Sequence, residues 1–262
     1  MMKNSIIISA LFSTFVAVSA RTFTVKNNCK YTVWPAIFTD MNVGTDKPSM
    51  PTGWEAAPGN TSTFTVPDDW QSGRIWGRTD CDFSKPNASS CATGGCNGGL
   101  LCDEHSGTGV PPVTVAEWTL GKNGSPDNYD GELINPRVSM VDGFNIPMSV
   151  VPTAGCQAID CNTDLNPNCP AQLQLKDASG TVVGCKSACD ANLDGDPQNS
   201  PNCCSGSHNV PATCPPSGVQ FYDYFKNGCK NAYAYAYDES SKTALWTCDS
   251  TQNADYAVTF CP

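Results

Sequence analysis

The chain has 262 residues, with 15 Lys and Arg against 25 Asp and Glu and a formal net charge of −10 at pH 7. This acidic balance disfavours nucleic acids and anionic membrane surfaces as partners. Charged residues make up only 15% of the chain, which also contains 22 Gly and 20 Pro. That composition favours short strands joined by turns over long helices.

The first 20 residues have the features of a secretory signal peptide. Lys3 supplies a positive charge, residues 6–18 are apolar apart from Ser and Thr, and the segment ends at Ala20 in a run of small residues. The apolar stretch is too short for a committed membrane span. We therefore predict a secreted, extracellular chain without integral membrane association. Removing 20 of the 262 residues leaves 242, beginning at Arg21, with 14 basic against 25 acidic residues and a net charge of −11.

Sixteen cysteines lie between Cys29 and Cys261, all after the predicted signal peptide. An even number at this density in an exported chain indicates a disulfide framework. A zinc site would need Cys-x-x-Cys pairs or Cys/His clusters. The sequence contains no Cys-x-x-Cys, and its two histidines are His105 and His208. We therefore predict no metal site, and because the sequence has no phosphate loop or dinucleotide fingerprint we predict no cofactor.

Period-two alternation of apolar and polar residues predicts the strands. In chain order they are residues 22–25, 31–34, 61–66, 74–78, 116–120, 146–151, 232–237 and 256–260. Their regular spacing is typical of a β-sandwich or barrel. Residues 156–229 hold nine of the 16 cysteines and show little periodicity, so loops pinned by disulfides are expected there. One helix is predicted at 219–227, followed by Gly228.

Two longer segments and a cysteine pair are distinctive: Gly-Arg-Ile-Trp-Gly-Arg-Thr-Asp-Cys-Asp-Phe at 73–83, Val-Asp-Gly-Phe-Asn-Ile-Pro-Met at 141–148, and the vicinal Cys203 and Cys204. They resemble the thaumatin-like family, which includes osmotin and pathogenesis-related proteins. The resemblance implies a mainly β fold with an antiparallel sandwich core (21–80, 103–155 and 230–262), a small cysteine lobe (81–102) and a large disulfide-rich loop domain (156–229). Lengthened loops and residues 191–196 favour a fungal member.

The resemblance also implies eight disulfides, carried over by cysteine order. They are Cys29–Cys261, Cys81–Cys91, Cys96–Cys102, Cys156–Cys248, Cys161–Cys229, Cys169–Cys185, Cys189–Cys203 and Cys204–Cys214. The residues themselves support one feature of this pattern. A bridge between the adjacent Cys203 and Cys204 would be strained, so different partners are preferred.

Family members have an acidic cleft, and the resemblance places four of its residues at Arg74, Glu117, Asp142 and Asp238. Glycoside hydrolysis uses one protonated and one ionised carboxyl group. Glu117 is then the candidate general acid, and Asp142 the candidate base or water-positioning residue. Arg74 would hold a carboxylate ionised, and Asp238 would bind sugar hydroxyls. The alternative is a structural charge network that joins two parts of the fold.

One acid of the family pattern is missing, because Arg137 stands in its place. The change from an acid to a cation should weaken the negative field of the cleft. Asp127, Asp130 and Glu132 lie just upstream, and one of them is a candidate substitute.

Aromatic rings near these positions are candidates for sugar stacking. Tyr233, Tyr235 and Tyr237 alternate with alanine, so they share one side of the predicted strand and either stack on sugars or belong to the sandwich core. Trp118 adjoins Glu117, but alternation places it on the opposite face of the sheet.

Two further patterns are local. Residues 190–196 resemble the start of a calcium loop, but Pro201 stands where its bidentate Glu belongs, so we predict a solvated acidic turn. Asn60 and Asn87 begin acceptor sequences for N-glycosylation.

Three functions remain open at this point. The first is a wall-directed protein that binds β-1,3-glucan or another cell-wall polysaccharide, with weak endo-β-1,3-glucanase activity. The second is a non-catalytic antifungal or defence-type effector, and the third is a protein-interaction module of the protease-inhibitor kind. We expect a monomer located outside the cell, at the cell wall.

Overall fold

The computed structural model describes residues 20–44, 46–121, 126–129, 138–244 and 246–262. The predicted signal peptide, apart from Ala20, lies outside these residues. Fourteen strands are described: β1 Ala20–Asn27, β2 Trp34–Thr39, β3 Thr61–Pro67, β4 Gly73–Cys81, β5 Cys91–Thr93, β6 Val115–Trp118, β7 Asp127–Tyr129, β8 Val138–Ser139, β9 Met148–Pro152, β10 Ile159–Cys161, β11 Gln174–Lys176, β12 Val182–Cys185, β13 Trp246–Cys248 and β14 Tyr256–Phe260.

The helices in the described residues are short. The α-helix, α1, spans Tyr222–Gly228, and 3₁₀ helices span Asn166–Asn168, Gly206–His208, Pro216–Gly218, Asp238–Ser241 and Ser250–Gln252. The predicted helix at 219–227 thus begins three residues late, because Phe221 has a left-handed backbone with φ of 59°. Within the described ranges, every helix is too short or too polar to cross a membrane.

The first sheet has the strand order β10-β9-β14-β1-β3. Its neighbours are antiparallel except for β1 and β14, which run parallel with Phe23 opposite Tyr256 and Asn27 opposite Phe260. The two chain ends therefore lie side by side in one sheet, and the Cys29–Cys261 disulfide joins them just beyond the last paired residues.

The second sheet has the order β2-β4-β6-β8, with β5 added to the far end of β4. One face of this sheet packs on the first sheet and forms the main core. The buried residues of that core come from both sheets and include Phe23, Ile75, Trp118, Val150 and Tyr256. This is a sandwich, and the opposite face of β4 and β6 carries a second, smaller cluster of buried residues that includes Trp76 and Val115.

Two predicted strands differ from the structure. Of residues 31–34, only Trp34 belongs to β2 and the other three precede it, because the Asn27 side chain donates to the Tyr31 carbonyl, accepts from the Cys29 amide and holds a bend there. The predicted strand at 232–237 is wrong. Tyr233 forms a single bridge to Ser139, after which the chain turns into the 3₁₀ helix at Asp238.

The eight disulfides of the structure connect the same pairs of cysteines that the resemblance implies. Five of them lie wholly or partly within residues 156–229. The shortest of these, Cys204–Cys214, joins cysteines that are 10 residues apart in the sequence. Such crosslinks replace regular secondary structure in holding these loops, since they restrict the unfolded chain.

Arg78 attaches the cysteine-rich segment after β5 to the second sheet. Its buried guanidinium donates hydrogen bonds to the carbonyl oxygens of Trp34, Gly99 and Leu100 at 2.6–2.9 Å, and it lies 5.3 Å from the centre of the Phe83 ring. Burial lowers the pKa of Arg78 to about 10. The arginine therefore stays protonated at neutral pH and joins β2 to the loop carbonyls of Gly99 and Leu100.

Candidate functional site

Arg74 and Glu117 form the centre of the site on the outer face of the second sheet. They are direct partners in the register of β4 and β6, so their side chains leave the sheet together. Arg74 Nε lies 2.7 Å from Glu117 Oε1, and the two side chains are 33% and 13% exposed. Strand alternation explains this placement, because the neighbours Ile75 and Ala116 point into the core.

Asp142 approaches the same arginine from the turn after β8. Its Oδ2 lies 3.9 Å from Arg74 Nη1, and its side chain is 37% exposed. The turn requires Gly143, which has a φ of 82° and whose Cβ would lie 2.6 Å from the Cys185 carbonyl oxygen. The predicted residues Arg74, Glu117 and Asp142 are therefore brought together by three separate parts of the chain.

A depression of about 260 Å³ opens beside Asp142. Its polar lining includes Asp142, Asp190 and Asn202, and its aromatic lining includes Tyr222 and Tyr235. The two tyrosine rings meet edge to face, with their centres 5.4 Å apart. Sugar rings present hydroxyls at their edges and C–H groups on their faces, so carboxylates next to aromatic rings suit a carbohydrate.

Asp238 lies behind this depression rather than in it. Its carboxylate is fully buried and accepts hydrogen bonds from Tyr222 Oη at 2.7 Å, Lys226 Nζ at 2.9 Å and the Ala234 amide at 2.9 Å. The sequence prediction that Asp238 contacts sugar hydroxyls is therefore corrected: the hydrogen bonds of this carboxylate come from donors of the protein itself. Burial, reinforced by the bond to Asp238, raises the pKa of Tyr222 above its ordinary value. Asp238 thus orients the ring that lines the depression.

The sequence of this chain matches the model of the thaumatin family over residues 27–262. The chain belongs to the thaumatin family. It is 41% identical over 247 residues to pathogenesis-related thaumatin-like protein 3.5 of Cryptomeria japonica, which covers 93% of this chain and 90% of that protein. Over 269 aligned positions that cover both chains in full, it is 40% identical to pathogenesis-related protein 5 of Arabidopsis thaliana and 39% identical to a protein of Prunus avium named glucan endo-1,3-beta-glucosidase.

These thaumatin-family relatives are plant proteins, so they give no support to the expected fungal membership, which stays a prediction. Arg137, which replaces an acid of the thaumatin-like pattern, lies outside the described residues, as do Asp130 and Glu132. Asp127 is described, and it is not a substitute for the missing acid. It is fully buried in an ion pair with Arg21, with Asp127 Oδ2 and Arg21 Nη1 2.6 Å apart.

Trp118 and the tyrosines of 232–237 are buried. Trp118 stacks on Trp70 with ring centres 6.0 Å apart and contacts Phe23 edge to face at 5.1 Å, so it belongs to the main core. Tyr235 and Tyr237 pack around the Cys204–Cys214 disulfide instead of inside the sandwich. The alternation of these tyrosines therefore reflects contact with the disulfide-rich loops, and Tyr235 also reaches the depression.

One acid of the calcium-like segment, Asp194, is engaged by side chains of its own loop. Asp194 accepts hydrogen bonds from Ser200 and Asn202, and the described part of the chain holds no group of three or more His, Cys, Asp or Glu suited to a metal ion. Asn60 and Asn87 are both exposed, and glycosylation at these residues stays a prediction.

Sequence reasoning missed Tyr222, Lys226 and Asp190 as residues of the site. The sequence does indicate that Tyr222 and Lys226 lie together, since they are four positions apart in the predicted helix and so share one of its faces. No local signal connects that face to Asp238, which follows 12 residues after Lys226. The sequence around Asp190 resembles a calcium loop and carries no pattern that points to the depression.

Proposed function

We propose that this chain is a secreted protein that binds β-1,3-glucan of cell walls in the cleft formed by Arg74, Glu117, Asp142 and the adjoining depression. The observation that carries the proposal is the placement of two partly exposed carboxylates and an arginine beside a depression lined by tyrosine rings. The Prunus avium relative named glucan endo-1,3-beta-glucosidase supports this substrate class. The disulfide framework supports secretion.

Weak hydrolysis of the bound glucan is the second part of the proposal. A hydrolase needs one carboxyl that keeps its proton and one that is ionised. The 2.7 Å contact with Arg74 favours a charged Glu117, so Glu117 suits the ionised role better than the role of acid assigned from sequence. The carboxylate of Asp142 is held less closely than that of Glu117, since its Oδ2 lies 3.9 Å from Arg74 Nη1.

We expect Glu117→Gln to lower the release of reducing sugar from laminarin by about 100-fold or more, because it removes the carboxylate next to the scissile bond. The measurement uses oxidised, purified protein and a parallel retention assay on insoluble β-1,3-glucan. Glu55→Gln is the matched control, since Glu55 is an exposed glutamate away from the cleft.

The possible results separate the two parts of the proposal. Retention on glucan without sugar release would reject hydrolysis and leave a binding protein. Absence of both would reject the proposal, and an effector or inhibitor activity that survives Glu117→Gln combined with Asp142→Asn would favour one of the alternatives.

A second prediction concerns Tyr222. We expect Tyr222→Ala to weaken retention on insoluble β-1,3-glucan by about tenfold, because it removes a ring that can stack on a sugar, and Tyr222→Phe to keep nearly all of it. The Tyr222 hydroxyl that is lost in the Phe variant donates to the buried carboxylate of Asp238, so its removal should instead cost about 1.5–3 kcal/mol of folding free energy. Equal loss of retention in both variants would mean that the hydroxyl, rather than the ring, contacts the sugar.

A further inference from the structure

Asp190 lines the same depression as Asp142, but it is not one of the cleft positions that the family pattern assigns. It follows Cys189, whose disulfide to Cys203 crosslinks this part of the chain. Its backbone amide donates to the Ser187 hydroxyl at 3.1 Å. The main chain therefore holds Asp190 in place without using its carboxyl group.

The carboxyl of Asp190 has an unusual environment. Its Oδ2 is excluded from solvent and has no hydrogen-bond partner among the described residues. Burial raises the pKa of Asp190 above its ordinary value, and the charge of Lys186 opposes this rise without cancelling it. An ionised oxygen without donors or water is costly, so a neutral carboxyl group fits this position better.

The groups that face Asp190 across the depression come from three other parts of the chain. Asp142 is contributed by the turn after β8, Tyr222 by α1 and Tyr235 by the segment before the 3₁₀ helix at Asp238. Apolar side chains, among them Val219 and Phe225, complete the wall. Asp142 is a like charge when ionised, so it also disfavours a negative Asp190.

Given the proposed function, we propose that Asp190 contacts the bound glucan in its protonated form and donates a hydrogen bond from Oδ1, rather than from the solvent-excluded Oδ2, to a hydroxyl or glycosidic oxygen. Glu117, next to Arg74, is suited to accept hydrogen bonds from sugar hydroxyls. Asp190 supplies the complementary donor. A sugar seated in the depression would exclude more water from Asp190, so ionisation of this carboxyl opposes binding.

The test is the affinity for laminarihexaose, measured calorimetrically at about pH 4.5 and about pH 8, because a raised pKa leaves more of Asp190 protonated at the lower pH. We expect the wild-type protein to bind about fivefold to tenfold more weakly at the higher pH. Asp190→Asn, whose amide donates at both pH values, should change by less than about twofold between them. Asp190→Leu, which has no donor, should bind about tenfold more weakly than wild type at the lower pH.

Asp223→Asn is the matched control, because Asp223 is exposed on α1 and does not line the depression. This variant should keep the pH profile of the wild type. The fold of each variant is checked by near-ultraviolet circular dichroism. If Asp190→Leu fails to fold, the nearly isosteric Asp190→Asn decides by its pH profile alone.

Two results would overturn the role of Asp190 while leaving glucan binding intact. These are wild-type affinity in a folded Asp190→Leu, or an Asp190→Asn that keeps the pH dependence of the wild type. Absence of laminarihexaose binding by the wild-type protein at both pH values would instead reject the proposed function, and with it this inference.

Discussion

Replacing Asp127 with asparagine is expected to lower the free energy of unfolding by about 3–5 kcal/mol, because the change leaves a buried guanidinium without its main counter-ion. Asp127 contacts Arg21 through both carboxylate oxygens, at 2.6 and 3.0 Å, and also accepts from Tyr256 Oη and the Gly121 amide. Arg21 has further contacts with Asp68 at 2.6 Å and with the Ala254 carbonyl. This network fastens the start of β1 to residues more than 100 positions away.

The direction of the charge effect is clear from Arg21. Burial acts to lower the pKa of Arg21, but hydrogen bonds and charges from Asp127 and Asp68 outweigh it and raise the pKa above its ordinary value. Arg21 is therefore charged at every accessible pH. When the carboxylate of Asp127 is removed, the guanidinium of Arg21 cannot avoid being a buried, unpaired charge by losing a proton. Arg21→Met combined with Asp127→Asn should cost less than the sum of the two single changes, since the residues act as one unit.

The measurement is equilibrium unfolding in denaturant with the disulfides intact. The matched control is Glu104→Gln, which removes a carboxylate from an ion pair with the same kind of contact, 2.7 Å to Lys47, but with both side chains nearly half exposed. We expect this control to change the unfolding free energy by less than about 1 kcal/mol. Equal losses in Asp127→Asn and Glu104→Gln would contradict the importance of burial.

Removing the Cys29–Cys261 disulfide is expected to cost about 5 kcal/mol, according to the chain-entropy model of crosslinks. The bridge spans 232 residues of sequence, so its loss frees nearly the whole unfolded chain. The Cys81–Cys91 disulfide spans only 10 residues and is the internal comparison. Its removal should cost about 3 kcal/mol.

Both double Cys→Ala variants are compared with the wild type by thermal and denaturant unfolding under oxidising conditions. The variant without Cys29–Cys261 should melt at the lower temperature. A larger loss from Cys81–Cys91 would show that native packing around the sulfurs, rather than loop length, determines the contribution of each crosslink.

Several strands could be predicted from local pattern alone. Residues 22–25, 61–66, 74–78 and 256–260 lie within β1, β3, β4 and β14. Each belongs to a sheet of the sandwich, where burial alternates with the backbone pleat and so appears in the sequence. Residues 232–237 show the same alternation for another reason. There, Tyr235 and Tyr237 pack around a disulfide that is more than 20 residues earlier in the chain.

The candidate site was only partly predictable. The resemblance pointed to Arg74, Glu117 and Asp142, and the register of β4 and β6 places the first two side by side. That register depends on pairing between strands about 40 residues apart, which no local pattern reports. The burial of Asp238 behind Tyr222 depends likewise on the position of α1 against the turn at 234–238.

The sequence by itself determined that this chain is mainly β, that it is crosslinked by disulfides and that it is strongly acidic, because these properties follow from composition, periodicity and the number of cysteines. Only the tertiary structure decided what each acid does. Glu117 and Asp142 both approach Arg74 and stay partly exposed, Asp190 lines the depression with Oδ2 unpartnered among the described residues, and Asp127 and Asp238 are buried against cations. The physical reason is that the burial and the hydrogen-bond partners of a carboxylate determine what it does, and those partners come from distant parts of the chain.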